Sequence, residues 1–306
     1  MTGLTSQALA GPARIARVGI VGGGLMGSGI AQVAAQAGLD TVVRELTEPL
    51  TARASDGIRR SLDRAIEKGK LTGDARDAAL SHLSFTTRLA DLAACDLVIE
   101  AVVEDLETKN TLWRELNGIC APDTIFASNT SSLTVAAMAA ASGRPDRIIG
   151  LHFFNPVPLM RLVEVVRTIT TSADTFDRTM TFVRHVGKHP IVARDSSGFV
   201  VNRLLIPYML DAIRALENGV GSVTDIDAGM QLGAGHPMGP FTLLDFVGLD
   251  TVARVAEVMF DEYREQRFAP PPLLRRLVLS GHLGKKSGRG FYDHSVDPPV
   301  PSNLAL

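Results

Sequence analysis

Two residues in the middle of the chain have types and spacing suited to proton transfer. His152 stands in "GLHFFNP", at the end of a predicted parallel strand, and Glu164 follows twelve residues later in "LVEVV". The intervening "NPVP" is turn-forming and can fold the chain back on itself. A carboxylate beside a histidine orients the ring and stabilises the imidazolium formed when it takes a proton. Oxidation of an alcohol by a nicotinamide needs such a base for the hydroxyl proton while the cofactor accepts the hydride. Serines and asparagines in "ASNTSSL" and "DSSGFVVNRLL" stand at the ends of predicted elements and strengthen this reading. On its own, His152 reads equally as a hydrogen-bonded core histidine and Glu164 as a surface acid. The other histidines, at 82, 185, 189, 236, 282 and 294, lack such a setting and read as structural. No grouping has metal-ligand spacing, so no metal is expected.

A second constellation handles phosphate. Gly22, Gly24 and Gly27 fit G-x-G-x-x-G, with Leu25 and Met26 inside the turn. That pattern serves a tight turn, close backbone approach to a pyrophosphate and close helix–strand packing. The helix start then offers unpaired N–H groups and a positive dipole end. Glu45, about twenty residues on, can accept both ribose hydroxyls of NAD, and its charge would repel a 2′-phosphate. NAD is therefore expected over NADP, with Arg44 beside it as the one residue able to pair with that phosphate.

These residues need a scaffold, and the chain spells one. "RVGIV" reads as a strand, "GGGLMG" as a turn and "SGIAQVAAQAG" as a helix. Strands over 41–46, 96–103, 124–129, 147–154, 162–168 and 189–194 alternate with helices over 48–70, 72–82, 105–119, 133–141 and 174–186. "FTT" at 85–87 and a helix over "LADLAAC" complete the run. The alternation predicts an N-terminal α/β domain, a Rossmann-type doubly wound, mostly parallel sheet. Beyond about residue 195 no strand is evident: helices are expected over 200–219, bent by Pro207, over 242–266 and over 271–281, with Ser222 or Thr224 as an N-cap. The expected organisation is a flexible tail over 1–15, an NAD-binding domain over 16–194, an all-helical C-terminal domain over 195–293 and a tail over 294–306.

The 306 residues are 45% hydrophobic and 21% charged with a formal net charge of −2, a globular profile that gives no support for a nucleic-acid or anionic-membrane partner. The uncharged run between Arg17 and Asp40 is long enough for a membrane span, and Arg14 and Arg17 resemble a signal's basic region. Its seven glycines, two glutamines and one serine suit a turn and a helix better than hydrocarbon. Cys95 and Cys120, the only cysteines, lack C-x-x-C spacing and read as buried free thiols in a reducing cytoplasm.

Taken together, "VGIVGGGLMGSGIA", "SNTSSL", "GLHFFNPVPLMRLVEVV", "DSSGFVVNRLL", "GAGHPMGPFTLLDFVGLD" and "GKKSGRGFY" resemble the L-3-hydroxyacyl-CoA dehydrogenase family, including bacterial 3-hydroxybutyryl-CoA dehydrogenases, over roughly residues 16–293. The resemblance implies an NAD-dependent enzyme acting on an acyl-CoA, dimeric through the helical domain. It gives His152 as the general base, Glu164 as its partner, and Ser131 and Asn202 as the groups holding the substrate's 3-oxygen and thioester region. It also implies cofactor contacts from Glu104, Lys109, Asn155 and Lys286, and CoA contacts from Ser61 and Lys68. Several of these have structural readings too. Ser131 reads as a helix N-cap, Asn202 as a helix polar group, Ser61 and Lys68 as solvated positions, and Lys109 as an i,i+4 partner of Asp105. Glu45 stands where the family often has aspartate, one methylene shorter. A rival reading is a related dehydrogenase acting on a free hydroxy or sugar acid; another is a non-catalytic NAD-binding protein.

Overall fold

The β-branched run Arg17–Val21 becomes the central strand β1 of an eight-stranded sheet, its last four residues buried. The computed structural model describes residues 14–304. Around β1 the chain lays down α1 (Leu25–Gln36), β2 (Asp40–Arg44), α2 (Glu48–Glu67), α3 (Gly73–Ser81) and β3 (Leu83–Thr86). A single 3₁₀ turn, Leu89–Leu92, replaces the helix expected over "LADLAAC". Then come β4 (Leu97–Glu100), α4 (Leu106–Asn117), β5 (Ile125–Ser128), α5 (Val135–Ala141), β6 (Ile148–Phe153), β7 (Leu162–Arg167), α6 (Ala173–His185) and β8 (His189–Arg194). The strand order is β3-β2-β1-β4-β5-β6-β7-β8. Neighbours are parallel except β6 and β7, which run antiparallel.

That order reverses between β1 and β4, which makes a crevice at the carboxyl ends of the strands, the place where open α/β sheets bind ligands. The glycine turn follows β1 and the Glu104 loop follows β4, so both sequence motifs flank the switch point. One apolar core spans sheet and helices, with Ile20, Ile30, Val43, Ile99, Phe153 and Val165 among its members. Ile15, assigned to a tail from sequence, is 5% exposed and belongs to this core; residues 1–13 of that expected tail lie outside the described residues. Cys95 and Cys120 are free and buried, and burial pushes both thiols up to about 11.

The chain divides into two compact units between Ser196 and Ser197. The second contains α7 (Val201–Glu217), α8 (Val223–Ala228), a π-helical turn Gly229–Gly233, α9 (Pro240–Val247), α10 (Leu249–Tyr263) and α11 (Pro272–Leu279). Ser222 is the N-cap of α8, its hydroxyl accepting from the Asp225 N–H. α7 runs through Pro207. The single helix expected over 242–266 is two. Gly248, with φ +100, breaks it, a backbone angle that glycine reaches without steric cost. The short pair β9 (Tyr292–Asp293) and β10 (Val300–Pro301) corrects the all-helical expectation and places part of the presumed 294–306 tail in an antiparallel bridge. A separate core, centred on Phe241, Leu249, Val252, Phe268 and Phe291, holds this unit together. Truncating a buried phenylalanine of this kind costs about 3–5 kcal/mol.

Among the described residues no helix is long and apolar enough to cross a membrane. The uncharged run that raised the possibility is divided instead among β1, the glycine turn and the twelve-residue α1.

Candidate active site

His152 is the fifth residue of β6 and pairs in register with Glu164 across the antiparallel β6–β7 ladder. Directly opposed residues of such a pair project to the same face with their Cβ atoms close together. The histidine Nδ1 lies 2.6 Å from Glu164 Oε2. Glu164 is fully buried and His152 is 6% exposed, so the carboxylate faces the ring in a setting that water does not screen. The bond at Nδ1 fixes the orientation of the ring. The Phe154 ring packs against the imidazole, centroids 4.4 Å apart and tilted by 48°. The next strand also fixes this corner: Asn129, just past β5, accepts the Phe153 N–H on its side-chain oxygen at 2.9 Å.

The glycine turn is built as the motif requires. Gly22 has φ +94 and donates its N–H to the Arg44 carbonyl at 3.0 Å. A Cβ on Gly27 would sit 1.8 Å from the Gly22 carbonyl oxygen, so the close approach of helix to turn admits no side chain. Gly24, the N-cap of α1, has open space where a Cβ would stand. The exposed Leu25 and half-buried Met26 open the helix, whose first turn leaves N–H groups unpaired by the helix itself. Glu45 follows the last residue of β2 and accepts the Gly23 N–H at 2.6 Å and the Leu46 N–H at 3.0 Å. Arg44 is turned to the Thr87 carbonyl, its Nε donating at 3.3 Å. An open backbone cradle, a helix N-terminus and an acid at the end of the second strand fit a dinucleotide.

Glu104 and Lys109 lie together, though not as spacing suggested. Lys109 is 1% exposed, and its ammonium lies 2.6 Å from Glu100 Oε1 and 3.1 Å from Glu104 Oε2, rather than pairing with Asp105. Asp105 instead caps α4 through the Thr108 N–H. Glu104 Oε1 accepts the Ser131 N–H at 3.0 Å and the hydroxyls of Thr130 and Ser132. Burial would raise the Glu104 carboxyl, but the Lys109 charge and the hydrogen bonds from Thr130, Lys109 and Ser131 outweigh it and hold the group below its usual range. Ser131 is not a helix cap, since Thr134 is the N-cap of α5. Ser61 is half-buried on α2, and the exposed Lys68 is that helix's C-cap, so the helix stops short of the expected residue 70. Asn155 is exposed just after β6. Asn202 and Lys286 belong to the second unit, Asn202 in the first turn of α7 and Lys286 ion-paired with Asp250.

Sequence reasoning missed Glu100, and it took in Ser128 and Asn129 only as part of "ASNTSSL", with no role of their own. Glu100 had a signal: it is the one acid in the apolar run "DLVIEAVV" after its opening aspartate, and a charge inside a buried strand needs partners. Asp195 was missed as well. Its carboxylate accepts the Val135 and Ala136 N–H groups at 2.7 and 2.6 Å and so caps α5 from the end of β8.

Comparison with known proteins gives the family. The NAD-binding domain of 3-hydroxyacyl-CoA dehydrogenase matches residues 17–196 and its C-terminal domain matches residues 198–294. A 3-hydroxybutyryl-CoA dehydrogenase of Mycobacterium tuberculosis is 51% identical over 282 residues, covering 92% of this chain and 99% of that protein. The mitochondrial hydroxyacyl-coenzyme A dehydrogenase of Rattus norvegicus is 48% identical, covering 92% and 91%. The crystal structure of (S)-3-hydroxybutyryl-CoA dehydrogenase PaaH1 from Ralstonia eutropha superposes with a TM-score of 0.89 at 42% identity, covering 92% of this chain and all of that one. With both domain patterns matched in order and half the residues shared with such relatives, the chain belongs to the 3-hydroxyacyl-CoA dehydrogenase family and is an NAD-dependent oxidoreductase.

Proposed function

We propose that this chain reversibly oxidises an L-3-hydroxyacyl-CoA, of short chain such as 3-hydroxybutyryl-CoA, to the 3-ketoacyl-CoA. The observation that carries the reading is the buried His152–Glu164 pair, 2.6 Å apart at the carboxyl end of β6. His152 takes the hydroxyl proton at Nε2, and Glu164 holds the ring's other nitrogen and balances the positive charge that results. In the reverse direction the imidazolium returns that proton to the oxygen. Bound NAD supplies the acceptor for the hydride leaving C3. Ser131 fixes the substrate oxygen, a positioning role of the kind that carries large rate effects. Asn202 keeps the role the resemblance gives it. For the cofactor, Gly22, Gly24, Leu25, Met26 and Gly27 would cradle the phosphates and Glu45 the ribose. Glu104, Lys109 and Asn155 are further candidates for the cofactor, with Lys109 acting through Glu104 because its ammonium is buried, and Lys286 keeps the cofactor role the resemblance gives it. Ser61 and Lys68 are candidates for CoA, where an exposed lysine can meet a phosphate.

Assembly as a homodimer through the helical unit belongs to the same proposal. It is supported by exposed apolar side chains there, Leu204 at 67%, Leu232 at 88% and Leu279 at 87%. A cytoplasmic location is part of the same proposal, supported by two free thiols of the kind a reducing compartment preserves.

The test is NADH oxidation with acetoacetyl-CoA and with free acetoacetate, run with the wild type and with His152→Gln. Turnover of the thioester alone, lost in the variant while NADH still binds, supports the assignment. Equal turnover of the free acid, or near-wild-type rates in the variant, overturns it.

A further inference from the structure

Glu100 is fully buried and its carboxylate meets three partners of this chain. Oε1 lies 2.6 Å from Lys109 Nζ and accepts the Val102 N–H at 2.9 Å; Oε2 accepts the Ser128 hydroxyl at 2.7 Å. Lys109 carries the connection onward to Glu104 Oε2 at 3.1 Å, and Glu104 Oε1 receives the Ser131 N–H at 3.0 Å. The network thus grips the chain leaving β5 along its length: Glu100 holds Ser128, the last residue of the strand, and Glu104 holds Thr130, Ser131 and Ser132. Replacing a buried ion pair by apolar groups is often neutral or stabilising, whereas an ion pair with satisfied hydrogen bonds fixes directions. The two carboxylates and one ammonium leave one net negative charge, which the N–H and hydroxyl dipoles of residues 130–132 face. Neither Glu100 nor the Lys109 ammonium is exposed enough to touch a ligand.

We infer that Glu100 is a positioning residue, which holds Ser131 in place through Lys109 and Glu104. Its importance for turnover rests on the reading of Ser131 as a substrate-holding group. The arrangement itself does not.

Glu100→Gln keeps the size and an acceptor for Val102 or Ser128 but removes the charge that draws Lys109. Hydrogen exchange of the segment 129–134 should rise tenfold or more, while β1 stays protected. With acetoacetyl-CoA, kcat should fall tenfold or more and the NADH Kd should stay within twofold. Added to Ser131→Ala, the same substitution should cost less than twofold further, because a residue that acts through Ser131 has nothing left to position. Unchanged exchange at 129–134 overturns the inference. So does a loss that multiplies fully with that of Ser131→Ala, or a tenfold weaker NADH Kd at unchanged kcat. If the wild type fails to reduce acetoacetyl-CoA, the proposed function falls and the exchange measurement still decides the positioning. If Glu100→Gln does not fold, Glu104→Gln, which removes the last link at a partly exposed site, should loosen 129–134 in the same way, and failure to do so overturns the inference.

Discussion

His152 and Glu164 are cross-strand partners in register on the one antiparallel pair of an otherwise parallel sheet. Twelve residues apart in sequence, they are joined by the ladder itself, so the geometry of the pair is set by backbone hydrogen bonds rather than by loop conformation.

His152→Gln should lower kcat for ketoacyl-CoA reduction by about 10²–10⁴, the usual contribution of a general acid–base group. The NADH Kd should be unchanged, as read by fluorescence titration. Glu164→Gln should cause a smaller fall in kcat with the NADH Kd again unchanged, because the ring keeps a hydrogen-bond partner but the imidazolium loses the carboxylate that balances its charge.

Cofactor preference should follow the Glu45 charge. Glu45→Gln keeps an acceptor for the Gly23 N–H but removes the repulsion towards a 2′-phosphate, leaving Arg44 nearby. The ratio of kcat/KM for NADH to that for NADPH should fall about tenfold or more, equivalent to about 1.4 kcal/mol. An unchanged ratio would mean that Glu45 only braces the turn.

Gly27→Ala and Gly24→Ala should separate folding from binding. At Gly27 the new Cβ would stand 1.8 Å from a backbone oxygen, so the turn must move. A cost of about 2 kcal/mol or more should lower Tm by about 5 °C or more. At Gly24 nothing lies within 4 Å, so Tm should hold while NAD binding weakens, as calorimetry would show.

Acid should loosen the Glu104 network. The Glu104 carboxyl is held below its ordinary value of 4.5, so it contributes stability that is present above that pH and lost as pH falls through the lower folded value. In Glu104→Gln this contribution is absent. Its Tm should therefore decline less steeply than that of the wild type as pH is lowered from about 5 to about 3.

Much of this was readable in the residues. Local pattern carries β1 and β8, whose limits are as expected, and the G-x-G-x-x-G turn declares its own geometry. The His152–Glu164 pairing was foreshadowed by the turn between them, but the register that seats one opposite the other is a property of the sheet. What escaped has physical reasons. Apolar periodicity runs uninterrupted across Gly248, so one helix was expected where the positive φ makes two. β9 and β10 span two residues each, too few for any alternation to show. Lys109 reads from helical spacing as a partner of Asp105, because its actual carboxylate partner Glu100 lies in the adjacent strand, nine residues earlier and outside that spacing.

The two thiols have a practical consequence. At neutral pH a thiol raised to about 11 is almost wholly protonated, and Cys95 and Cys120 are also closed off from reagent. Folded protein should therefore be inert to Ellman's reagent, and each colour-forming event should mark an opening of the 3₁₀ turn and the α4–β5 connection around them. The chain thus carries its own pair of unfolding clocks, readable in a spectrophotometer without any introduced label.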